Sequence, residues 1–208
     1  MRRYIIVFLL SLTLLPISLL GGAPGELFSG APRDDDGRFT NLAGDLSHGT
    51  LSTRFPFMLR RFGTYFRSGK DAPQRIPNDG AFLRENARHS KPTVTWVGHA
   101  TLLVQVEHVT FLTDPIWSNR PSPVPIIGPG RFVEPGLALE DLPPIDFVLI
   151  SHNHYDHLDL PTLRSLSRRS PDTVFFVPLG NGDLLRNQGI TNVQELDWGQ
   201  TARYKGAT

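Results

Sequence analysis

Apolar positions divide the chain into an irregular first half and a regular second half. Regularity begins at Thr93, with the runs "TVTWV" (93–97), "TLLVQV" (101–106) and "HVTFLTD" (108–114). These are short, β-branched and aromatic, and only Gly98–Ala100 and Glu107 separate them, which predicts an antiparallel meander. "DFVLIS" (146–151) is a continuous apolar run behind Pro144 and reads as a buried strand. In "DLPTLRSLSRRS", Leu160, Leu163 and Leu166 share one helical face, with Asp159 placed to cap and Pro161 in the first turn. "TVFFVP" then predicts a strand, "NGDLLRNQG" a short helix ending at Gly189, and "VQEL" a last strand. A meander feeding β-α-β-α-β implies α/β layering around a mixed sheet. The Pro/Gly-rich "SNRPSPVPIIGPGRFVEPG" between them is too long a loop to be idle in a compact domain.

Residues 24–92 carry no such rhythm. Their middle stretch interleaves Phe55, Phe57, Met58, Leu59, Phe62, Tyr65 and Phe66 with Arg54, Arg60, Arg61 and Arg67. It reads as an amphipathic segment packed on the main domain with its arginines solvated; the alternative is a basic–aromatic surface at a membrane interface. Residues 1–23 differ again. Arg2 and Arg3 precede an uncharged apolar run from Tyr4 to Leu20 and small residues at Gly21, Gly22 and Ala23, as in a secretory signal peptide or short membrane anchor. The basic end stays in the cytoplasm. The rest is thus expected to be exported, either periplasmic or anchored in the inner membrane facing the periplasm. Three segments result: 1–23, an extension at 24–92, and a domain at 93–208.

Composition narrows the chemistry. The chain has 208 residues, 39% of them hydrophobic, and a net charge of +1, which gives no electrostatic case for nucleic acid. It has no cysteine, so any metal must be held by nitrogen and oxygen donors. Of seven histidines, three fall in "SHNHYDHLD": His152, His154 and His157, beside Asp156. The preceding strand delivers His152 to the carboxyl edge of the sheet, where α/β proteins place ligands. In extended backbone, residues two apart point the same way, so His152 and His154 can converge on one ion. The bend toward Asp159 can direct Asp156 and His157 to a second ion. Imidazole and carboxylate suit Zn²⁺ and admit Mn²⁺ or Fe.

The stretches "TWVGHATLLVQ", "LTDPIWSNRPSP", "GPGRFVEPGLALEDLPPIDFVLISHNHYDHLDLPTL" and "FFVPLG…ELDW" resemble the metallo-β-lactamase superfamily. More narrowly, they resemble bacterial relatives of N-acylphosphatidylethanolamine-hydrolysing phospholipase D, a branch near the ascorbate-phosphate lactonases. The resemblance implies a mixed sheet with flanking helices, the N-terminal half of an αββα sandwich. It implies two Zn²⁺ ions, one on His152 and His154 and the other on Asp156 and His157. Asp156 would also orient the attacking water, and Asp114 would support the histidine loop. His99 is read equally as a site-facing support and as a plain turn residue. The implied chemistry is hydrolysis of a phosphodiester on a phospholipid or other small molecule, since a divalent ion lowers the pKa of bound water to about 7.

The family's remaining ligands, two histidines and a bridging aspartate, have no counterpart here, because no histidine follows His157. A catalytic zinc takes three protein ligands, and His152 with His154 supply two. The chain is therefore read as a truncated domain, incomplete in its C-terminal half, whose enzyme activity is uncertain. Strands meant for a second sheet should then show an uncovered apolar face. The alternatives are a partner-dependent or non-catalytic half-domain and a sugar-phosphate lactonase.

Overall fold

The computed structural model of the protein describes residues 30–42, 50–64, 74–76, 78–122 and 130–205. The apolar run at 4–20 lies outside the described residues. Among the described residues no helix is long and apolar enough to cross a membrane.

Six strands form one sheet in sequence order: β1 (Thr93–Gly98), β2 (Thr101–Val106), β3 (Val109–Thr113), β4 (Phe147–Leu149), β5 (Val174–Pro178) and β6 (Val193–Leu196). The first three pair antiparallel and the last three are added in parallel. The change of direction follows from the connections. Tight turns join β1 to β2 to β3, whereas β4 is reached by the long connection from Asp114 to Asp146, and β5 and β6 across α3 (Leu160–Arg169) and α4 (Gly182–Arg186), as parallel pairing requires. The predicted mixed α/β sheet is thus the observed one.

Alternation along each strand sorts the side chains onto two faces. One face carries Leu103, Leu112, Val148, Phe175 and Val177, all at most 2% exposed, packed with Leu163 and Leu166 of α3 and Leu185 of α4. A further helix, α2 (Ala81–His89), also covers this face, a helix that apolar periodicity does not reveal. It buries Leu83 and Asn86, and the Asn86 side chain donates to the Gln105 Oε1 at 3.0 Å. Gln105 in turn donates to the Leu83 carbonyl at 2.9 Å, so two buried polar side chains satisfy one another. Glu195 clamps α4 by accepting the Gly180 and Gly182 amides at 2.7 and 2.9 Å. Gly182 permits that approach, since a Cβ there would collide with the Glu195 carboxylate.

Two local expectations need correcting. The side chain of Asp159 does not cap the α3 amides. It turns toward the loop after β3, accepting the Ser118 hydroxyl and the Trp117 and Ser118 amides, so its carboxylate ties loop to helix. The arginine-rich stretch forms α1 (Leu51–Thr64), but Leu51, Phe55, Phe57 and Leu59 are all more than half exposed rather than packed on the domain.

Candidate metal centre

At the carboxyl edges of β3 and β4 the chain places its donors around one buried carboxylate. Asp114 ends β3 in the left-handed region (φ 39°), a conformation that aspartate tolerates better than most residues. Its amide donates to the Leu149 carbonyl at 2.9 Å, which fixes the end of β4 beside it. Its side chain is then fully engaged. Oδ1 accepts the Ser151 amide at 2.7 Å, and Oδ2 accepts the Ser151 hydroxyl at 2.7 Å and pairs with His157 Nδ1 at 2.9 Å. An ionised carboxylate only accepts, so His157 carries its proton on Nδ1 and turns a bare Nε2 outward.

Beyond Ser151 the chain runs irregularly through His152 to a bend at His154. His152 Nε2 faces His154 Nδ1 at 3.1 Å. The His154 carbonyl then accepts the His157 and Leu158 amides at 2.9 and 2.8 Å, folding the chain into a turn that brings Asp156 and His157 back. The His152 and His157 rings lie 4.0 Å apart, centroid to centroid. His99, in the β1–β2 turn and itself left-handed (φ 50°), sets its Nε2 3.0 Å from Asp156 Oδ2. Donor atoms of His99, Asp156 and His157 all lie within 4.8 Å of one another. All six residues singled out from the sequence therefore meet in one place. His99 stands among the donors, not in a turn facing away from them. Sequence reasoning passed over Ser151, whose only signal is a hydroxyl directly before the first histidine.

The donor set fits a divalent ion. Two imidazole nitrogens bound tetrahedrally at about 2.0–2.1 Å sit roughly 3.3–3.4 Å apart, close to the observed His152–His154 separation. Electrostatics agree. Burial pushes the His152 imidazole below its ordinary value, His157 and His154 push the same way, and Asp114 and Asp156 oppose them. For Asp156 burial acts upward, but its own amide together with His157 and His99 prevails and holds the carboxyl below its usual range. Neutral imidazole and ionised carboxylate are the forms that ligate metal.

A cavity of about 610 Å³ opens from His99 and Asp156. Trp96, Ile116 and Phe132 give it apolar walls. Arg131 enters the same wall, its guanidinium held by the Ile116 carbonyl at 2.7 Å.

The Beta-lactamase superfamily domain profile matches residues 109–208, the span that includes Asp114 and the histidine loop. Residues 109–208 are thus similar to the beta-lactamase superfamily domain. Among curated relatives, an N-acyl-phosphatidylethanolamine-hydrolyzing phospholipase D of Caenorhabditis elegans is 44% identical over 115 residues, covering 53% of this chain and 32% of the relative. A metal-dependent hydrolase of an Anaeromyxobacter species is 44% identical over 73 residues, covering 35% of this chain and 23% of the relative. The solved isothiocyanate hydrolase from Delia radicum gut bacteria is 25% identical with a TM-score of 0.41, covering 50% of this chain and 41% of that one. The chain thus spans about a third or less of the length of these curated relatives.

Proposed function

We propose that this chain contributes to the centre of a metal-dependent hydrolase acting on phosphodiesters of the N-acylphosphatidylethanolamine type. His152 and His154 hold one divalent ion and Asp156 and His157 a second, with zinc the ion best suited to nitrogen and oxygen donors. One observation carries this reading: His152 Nε2 and His154 Nδ1 face each other at 3.1 Å beside the His99–Asp156–His157 cluster. A bound divalent ion supplies Lewis-acid charge and a water acidified to a pKa of about 7. The protein does the rest. Asp156, kept ionised, accepts a hydrogen bond from the attacking water and aims it. Asp114 holds His157 in the ligating tautomer. The apolar walls of the cavity take the fatty part of the substrate, and Arg131 sets positive charge beside its phosphate.

A phospholipid surface suits the exposed Phe55 and Phe57 of α1, interleaved with Arg54 and Arg60. It also suits an exported chain whose residues 1–23 serve as signal or anchor.

A second reading, a non-catalytic or partner-dependent half-domain, draws support from the His152–His154 pair. Catalytic zinc takes three protein ligands, and among the described residues this pair has no third donor grouped with it. Metal analysis of the purified chain, with hydrolysis of bis(p-nitrophenyl) phosphate and of N-acylphosphatidylethanolamine in vesicles, separates the two. Bound zinc with turnover supports the hydrolase. Bound zinc without turnover favours the half-domain. Zinc content unchanged in His154→Ala would overturn the ligand assignment itself.

A further inference from the structure

The buried carboxylate of Asp114 touches His157 directly but does not touch His152. A single side chain spans the gap. Ser151 Oγ lies 2.7 Å from Asp114 Oδ2 and 2.9 Å from His152 Nδ1. A serine hydroxyl has one proton to give. Asp114, as a carboxylate, can only accept, so that proton goes to Oδ2. The Ser151 oxygen is left to accept, and its remaining neighbour, His152 Nδ1, must bring the hydrogen. His152 Nε2 then stays bare and faces His154.

We infer that Ser151 is a positioning residue that relays the Asp114 carboxylate to His152, so that one buried acid fixes the tautomer of both His157 and His152. Two imidazoles are thereby held with hydrogen on Nδ1 and a bare Nε2 in the pocket, without a second carboxylate. The Ser151 amide bond to Asp114 Oδ1 is backbone and survives any substitution except proline, so the hydroxyl can be removed with the corner otherwise retained. The inference rests on the metal-binding reading for its purpose but not for its test.

The decisive measurement is the histidine ring-nitrogen spectrum of the metal-free 208-residue chain, selectively ¹⁵N-labelled, at a pH where imidazoles are neutral. His152 and His157 are expected in the Nδ1–H form. In Ser151→Ala, His152 should shift to a mixture of tautomers while His157 keeps its form as an internal control. Ser151→Thr, which restores the hydroxyl, should restore His152. Zinc affinity, read by competition with a chelator, should fall about 10- to 100-fold in Ser151→Ala, as is usual when a partner of a ligating histidine is lost, and recover in Ser151→Thr. An Nε2–H form of His152 in the unsubstituted chain would overturn the relay with no variant needed. So would an unchanged His152 in Ser151→Ala, or Ser151→Thr behaving like Ser151→Ala. A chain that binds no zinc but shows the expected tautomers would defeat the metal reading and leave the relay standing.

Discussion

The two faces of the sheet are built from neighbouring residues and yet live in different surroundings. Phe175 looks toward α3 and α4 and is wholly buried. Phe176, one residue on, looks the other way and belongs to a small cluster with Val109 and Phe147 under Tyr204. Toward β1 that second face is bare, with Val94 67% and Trp96 69% exposed. Apolar strand alternation is alike on the two sides; the supply of covering elements is not. Three helices serve one face, and on the other the described chain lays down only the segment around Ala202 and Tyr204. Strand pattern therefore reports which residues can be core, and the connections decide which of them become so.

Substitutions can test that contrast. Phe175→Ala should cost most, about 3–5 kcal/mol in chemical denaturation, because the surrounding helices cannot collapse into the hole. Tyr204→Ala should cost roughly 1–2 kcal/mol, since it strips the Phe147 ring of its edge-to-face partner, 5.4 Å away between centroids. A loss as large as that at Phe175 would mean the second face is a full core.

Glu195 offers a pH handle on the helix-covered side. Its carboxyl is held below the ordinary value chiefly by the Gly182 amide, with burial opposing and Gly180 and Arg186 adding to the effect. A depressed folded value stabilises the native state above the unfolded pKa of about 4.3, and that stabilisation fades as pH falls through the lower folded value. Glu195→Gln should flatten the acid limb of the stability profile and leave its neutral part with the same slope. An unaltered acid limb would show that the clamp on α4 is not electrostatic.

The smallest effect is expected at Trp96. Trp96→Ala should change stability by less than about 1 kcal/mol, as for other exposed positions. A larger, concentration-dependent loss would reveal that another molecule covers this face in solution.

Much of this was readable in advance. Strands β1, β2, β5 and β6 start and stop within a residue or two of their apolar runs, because β-branched alternation and turn residues are local signals. The corner from His152 to His157 was legible for the same reason: two-residue spacing followed by a bend is local geometry. Helix α2 was not legible, because Asn86 is buried through a partner on β2, a pairing that no periodicity announces. Asp159 misled for a related reason: its carboxylate satisfies donors some forty positions earlier in the chain. Residues 51–60 misled in the opposite direction, since an amphipathic pattern states what a segment can cover and not whether anything lies beneath it.

The bond from the Asp114 amide to the Leu149 carbonyl has a consequence for alignment. Side chains alternate across a strand, so a slip of β4 past β3 by one position would throw Ser151 to the opposite side of the sheet. Both imidazoles would come adrift together. The seam between these two strands thus works as a gauge: the same hydrogen bonds that hold the sheet closed also measure out, to within one residue, where a cation can be gripped.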